Sequence, residues 1–126
     1  MVKNLTIISF LGFLAVLFGA FGAHALKEIL TISEMNSFNT AVQYQMFHVL
    51  VLLFVNVAML FSEKQKNKLS LIFFIGILFF SGSIYLIYLA GISFKHLWYV
   101  TPFGGLFLLI GWLLMAYYAF KKKQKK

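Results

Sequence analysis

The sequence predicts an all-α integral membrane protein, a four-transmembrane-helix bundle with both termini on the cytoplasmic side. Three observations predict it. Of 126 residues, 62% are hydrophobic and only 11% charged, whereas a soluble domain carries about a quarter of its residues charged to hold its surface in water. Apolar stretches recur at 5–23, 40–61, 69–90 and 102–120, each near the roughly 20 residues that cross a hydrocarbon core as a helix. The lysines, finally, are shared unevenly between the linkers.

Lipid offers the backbone no hydrogen bonds, so a span must be a helix or part of a closed barrel. Barrel strands alternate in polarity, and runs such as LIFFIGILFF (71–80) do not. The chain is therefore one domain of helices near 4–24, 32–61, 69–90 and 102–120, with a lysine-rich tail at 121–126.

The first helix ends at Ala23-His24-Ala25, which has the small-x-small form of a signal cleavage site. Its apolar run is longer than a signal core of about 7–15 residues. Gly12, Ala15, Gly19, Gly22 and Ala23 also form a packing surface, so the segment is expected to be retained. Residues 25–30 make a short interfacial turn with Leu26, Ile29 and Leu30 on one side.

The second helix begins at a capping box. Thr31 supplies the hydroxyl and Glu34, three residues on, the carboxylate; Met35, Phe38 and Val42 then follow at helical spacing. The third helix is the LIFF-rich run. Before the fourth, Trp98 and Tyr99 suit the membrane interface, and Pro102 fits a first helical turn, where its missing N–H costs nothing.

Orientation follows from charge. Nine lysines (Lys3, Lys64, Lys66, Lys68, Lys121, Lys122, Lys123, Lys125 and Lys126) fall on the side shared by the termini and the second linker, against Lys27 and Lys95 opposite. Positive residues stay inside, which predicts a multi-pass protein with both ends in the cytoplasm. The net charge of +8 contains no arginine, so the planar fork that grips phosphate or guanine is missing. Membrane lipids are the expected partners and nucleic acid is not.

Several chemistries are excluded. There is no cysteine, and Glu28, Glu34 and Glu63 are the only carboxylates, all in linkers. No nucleophile elbow, phosphate loop or zinc helix signature occurs. A haem held by His24 and His48 would need both at one depth, yet His48 lies about 12 Å lower by helix rise; with His96 a zinc or copper site meets the same mismatch. No catalytic residue, cofactor or metal is expected, and the chain is not expected to be an enzyme. No repeat relates the halves, which argues against an inverted-repeat transporter.

The polar groups inside the spans mark the candidate site. Gln45 and His48 on the second helix, and Ser81, Ser83 and Tyr85 on the third, lie toward the outer side, with His48 about 12 Å and Ser83 about 10 Å deep. They read either as hydrogen bonds between helices or as a pocket for a lipid or small amphipathic ligand, His48 being its ionisable member. Gly19, Gly22, Gly104 and Gly105 would allow close helix approach. Trp112, about 15 Å deep, is a packing residue whose indole N–H should reach Asn56 or a backbone carbonyl. A transporter or channel is the alternative, needing polar groups through the inner half, where only Ser9 and Asn56 stand out. A structural homo-oligomer or a membrane-protein partner is the third, with Gly12, Ala15, Gly19 and Ala23 as its face.

GAFGAHALK (19–27), TAVQYQMFHVL (40–50), FSGSIYLI (80–87) and TPFGG with GWLLMAY (101–105 and 111–117) resemble the YwdK/YgdD-like small bacterial membrane proteins, DUF family 423, which have eukaryotic transmembrane relatives. The likeness runs from about Gly12 to Tyr118. It implies a four-helix protein of the bacterial plasma (inner) membrane and supplies no activity. Gly22, His24, Gln43, Tyr44, His48, Ser81, Gly82, Tyr85, Thr101, Pro102, Gly104 and Gly105 fall in the matched motifs, and no catalytic role comes with them. The lysine tail and the phenylalanine-rich spans are this chain's own.

Overall fold

The structure, a computed structural model, describes residues 2–124; Met1 and the tail residues Lys125 and Lys126 lie outside the described residues. Helices α1 (Val2–Ala25), α2 (Ile32–Val57), α3 (Glu63–Leu89) and α5 (Val100–Gln124) form the bundle, and a short α4 (Phe94–Leu97) bridges α3 and α5. The four long helices are each long and apolar enough to cross a membrane.

The ends of these helices follow local chemistry. The Thr31–Glu34 capping box is present, with bonds of 3.1 Å and 2.9 Å. In the turn before it Leu26 is buried, but Ile29 points outward instead of sharing its side. Two boundaries differ from those expected. α2 stops at Val57, not 61, because Ala58 turns extended; α3 starts at Glu63, not 69, because Ser62 and Gln65 form a second capping box. That polar first turn hides α3's beginning from a search for apolar runs. At the other end of α3, Gly91 takes a positive φ of 71°, a turn that side-chain-bearing residues resist. α5 continues through Lys121, Lys122 and Lys123 to Gln124, so the described part of the tail is helix.

The start of α1 and the end of α5 share one end of the bundle. The Asn4 side chain reaches Asn56 and Asn67, and Lys122 reaches the carbonyls of Met59 and Leu60. α2 and α3 are the central pair, with α1 packed on α2 and α5 on α3.

Close packing must hold such a bundle, since lipid is as apolar as its core and little is gained by expelling water. Knobs set into glycine notches do this. A Cβ on Gly22 would fall 2.3 Å from the Phe38 ring, and one on Gly111 2.6 Å from Phe73. A Cβ on Gly76 would meet Leu108 at 2.5 Å, and one on Gly104 the backbone nitrogen of Phe80 at 2.2 Å. α3 and α5 thus offer notches to each other. Gly19 and Gly12 face Val42 and Val49, and Ala15 is buried. Most of the small-residue face of α1 is therefore used inside the chain, against α2.

Candidate functional site

The five expected site residues are reached from three directions, and the structure joins only some of them. Gln45, buried on α2, donates to the Leu11 carbonyl at 2.7 Å and accepts from the Tyr85 hydroxyl at 2.6 Å. It ties α1, α2 and α3 together at one level. Beside it the Ser81 hydroxyl donates to the Ala41 carbonyl at 2.7 Å. Ser83 bonds to the Phe80 carbonyl and pairs with Thr101 at the start of α5.

His48 stands apart from that group. Its Nδ1 lies 2.7 Å from the Tyr44 carbonyl and its Nε2 3.1 Å from Nε1 of Trp112. A carbonyl only accepts and an indole N–H only donates. Nδ1 therefore carries the proton, and Nε2 offers its lone pair to Trp112. The partner of Trp112 is thus His48, not Asn56 or a carbonyl: Asn56 lies toward the terminal end of α2, bonded to Leu52, Ser70 and Asn4.

Two lipid-facing grooves flank these ties. The first, of about 430 Å³ between α2 and α5, is lined by Tyr44, His48, Pro102, Gly105, Leu109 and Trp112 among others. From Pro102 to Trp112 it follows α5 for about 15 Å. Gly105 shapes it, since a Cβ there would meet the Phe80 ring only at 3.7 Å. The Tyr44 ring stacks on Phe80 with centroids 4.9 Å apart and is 42% exposed. The second groove, about 460 Å³, contains Phe18, Gly82, Ser83, Tyr85 and Leu97; its hydroxyls are already bonded within the protein. Ser81 and Gln45 line neither of these grooves.

Sequence reasoning left Tyr44 out of the candidate site, and of a polar cluster at the terminal end it marked only Asn56. There Asn56 donates to Ser70 at 2.9 Å and accepts from Asn4 at 3.0 Å, while Lys66, only 7% exposed, donates to the Asn56 carbonyl at 3.2 Å. The carbonyls of the last α2 turn have no partner within the helix, and a cation there also suits the helix dipole. The S-x-x-Q box at 62–65 was the available signal, because it puts Lys66 inside a helix and not in a linker. His24 and His96 are exposed, as is Gln43. Among the described residues no three His, Asp or Glu side chains gather as metal ligands.

Between the two polar levels lies an apolar block of Ile8, Val49, Leu52, Phe73 and Ile77, each at most 4% exposed. A water path along the bundle axis would have to cross it.

Comparison with known proteins agrees with this architecture. A family model described as "Protein of unknown function (DUF423)" matches residues 18–105. A UPF0382 membrane protein of Haemophilus influenzae is 40% identical over 121 residues, covering 96% of each chain. The UPF0382 inner membrane protein YgdD of Escherichia coli K12 is 38% identical, over 90% of this chain and 86% of its own. The Staphylococcus haemolyticus protein SH2409, also a UPF0382 membrane protein, is 39% identical over 82% of this chain and 83% of its own. No solved structure matches.

Proposed function

The chain belongs to the DUF423 family of membrane proteins, and from its geometry we propose that it binds a lipid or other amphipathic molecule and is not an enzyme. The occupant lies in the groove between α2 and α5. One observation carries this: the Tyr44 hydroxyl is the one polar side-chain group of that groove left without a hydrogen bond among the described residues, since His48 Nε2 and the Trp112 indole are spent on each other and His48 Nδ1 on the Tyr44 carbonyl. A hydroxyl facing hydrocarbon gains by donating to a ligand oxygen. A lipid carbonyl or headgroup oxygen at Tyr44, with its chain running down past Gly105 and Leu109 to the Trp112 ring, matches the lining. His48 and Trp112 then hold the floor of the groove, and Gln45, Ser81, Ser83 and Tyr85 hold the helices behind it.

Transport is the weaker reading, because the apolar block at Leu52 and Phe73 separates the polar levels. The orientation that fits the lysines puts both termini in the cytoplasm of a bacterial cell and the Tyr44 end of the groove near the outer leaflet. Single cysteines at K27C and K95C should then react with an impermeant maleimide in intact cells, and K64C only after permeabilisation.

Native mass spectrometry from a mild detergent tests the binding. The expected result is an adduct of defined lipid mass that is lost in Gly105→Phe, whose ring fills the groove, and weakened in Tyr44→Phe. A bare wild-type mass, or an adduct unaffected by Gly105→Phe, would overturn the proposal.

A further inference from the structure

The end of the bundle where α1 starts and α5 finishes holds a pocket whose chemistry differs from that of both grooves. It measures about 440 Å³ and lies between the α2–α3 turn, the first turn of α3 and the last turns of α5. Two lysines of α5 line it, and both ammonium groups are held in place. Lys122 donates to the carbonyls of Met59 and Leu60 at 3.4 and 2.9 Å, which leaves one of its three protons. Lys121 stands over the Tyr117 ring, 5.5 Å from its centroid. Gln65 adds a neutral donor. Its Oε1 accepts from the Ser62 N–H at 3.0 Å in the capping box, so the Nε2 end, without a partner among the described residues, is left for the pocket.

Among the described residues no carboxylate lines this pocket; Glu63, on the same turn of α3, is turned to Lys66 at 3.7 Å. Two fixed positive charges and a free amide donor, with no carboxylate to oppose them, suit an anion. Depth and lining say which anion. Pro102 to Lys122 along α5 spans about 30 Å, the thickness of the hydrocarbon core. The ammonium groups therefore sit at the level of the phosphates of the leaflet at this end. Toward the hydrocarbon the wall turns apolar: Leu60, Tyr117 and, one turn on, Leu113 are each at least half exposed. A free phosphate has no use for such a wall, whereas the acyl chains of a phospholipid do.

We propose that this pocket binds an anionic phospholipid of the leaflet at this end of the bundle, independently of the groove between α2 and α5. The lipid phosphate accepts from Lys121, Lys122 and Gln65, and the acyl chains follow Leu60, Tyr117 and Leu113. The headgroup must carry net negative charge. Phosphatidylglycerol answers the lysines with its phosphate and brings no cation of its own. Phosphatidylethanolamine brings an ammonium, and the pocket has no carboxylate to receive it.

Native mass spectrometry of the Gly105→Phe protein, in which the α2–α5 groove is filled, isolates this site. Phosphatidylglycerol and phosphatidylethanolamine with identical acyl chains are titrated in turn. Phosphatidylglycerol should bind about fivefold tighter or more, and Lys121→Gln should cost it about fivefold, the worth of one lysine beside an anionic headgroup. Gln65→Glu is the sharper variant. Glutamate keeps the capping-box oxygen, and with it the start of α3, but puts negative charge where the free donor was; the preference should vanish while the unfolding midpoint stays. Lys68→Gln removes the same charge from an exposed position of α3 and should leave the preference unchanged. Equal binding of the two lipids, a preference that survives Gln65→Glu, a loss as large in Lys68→Gln as in Lys121→Gln, or displacement of phosphatidylglycerol by an equimolar amount of glycerol phosphate would each overturn the proposal.

Discussion

The indole N–H of Trp112 donates to Nε2 of His48 across 3.1 Å, joining α5 to α2 at a level where the two backbones are held apart by a groove. His48 is 6% exposed and Trp112 45%. The polar atoms of both rings are thus satisfied while one indole face stays open to lipid. His48→Leu removes the acceptor and should destabilise the bundle by about 0.6 kcal/mol, the average for interhelical hydrogen bonds in membranes, and by no more than about 1.7 kcal/mol, their maximum. Trp112→Phe should cost a similar amount through the same bond. Unfolding in mixed micelles by added dodecyl sulfate measures both. A His48→Leu protein as stable as wild type would mean that the pair holds nothing.

Gly104 and Gly105 are neighbours with opposite roles. A methyl group on Gly104 would collide with the Phe80 backbone at 2.2 Å, whereas on Gly105 it would make ordinary contact at 3.7 Å. Backbone cannot step aside as a side chain can. Gly104→Ala should push α5 away from α3 and cost about 1–3 kcal/mol or more, and Gly105→Ala should be close to neutral. Thermal aggregation midpoints of the detergent-solubilised variants distinguish them. Equal losses would place the close approach elsewhere.

Much of this fold was legible because hydrocarbon constrains it so strongly. Length and polarity specify a span, and the Thr31 box specified where α2 begins. The S-x-x-Q box at Ser62 was hidden because α3 opens with Glu63-Lys64-Gln65-Lys66, which hydropathy reads as linker. Gln45, His48, Ser81 and Ser83 are buried and Tyr85 is half-buried, but their partners could not be read from the sequence. Helix rise gives depth and not azimuth, so it could not say that Gln45 turns to Leu11 and Tyr85 while His48, one turn on, turns to Trp112. Gly104 and Gly105 looked alike for the same reason: adjacent residues differ by 100° in facing.

Lys66 differs from the lysines beside it. It is buried and bonds the Asn56 carbonyl, with Glu63 at 3.7 Å, whereas Lys64 and Lys68 are exposed. Lys66→Ala should cost about 1–3 kcal/mol, because it leaves a buried carbonyl without its partner. Lys64→Ala and Lys68→Ala should change stability by less than about 0.5 kcal/mol. The same unfolding titration reads all three. A uniform small effect would make Lys66 one more topology lysine.

Asn56 connects three helices from a position with no solvent exposure. Its Nδ2 donates to Ser70 on α3 and to Leu52 within α2, and its Oδ1 accepts from Asn4 on α1. Removing it strands Asn4 less than it might, because Asn4 also donates to Asn67. Asn56→Ala should therefore cost about 1–3 kcal/mol, chiefly through the Ser70 bond and the void. Ser70→Ala alone should cost less, since Asn56 keeps its bonds to Leu52 and Asn4. The decisive measurement is the double-mutant cycle. If the two side chains act through one bond, the double variant is less destabilised than the summed singles by about 0.5 kcal/mol or more. Strict additivity would mean that Asn56 acts through packing alone, and that the polar cluster beneath α2 is not a network.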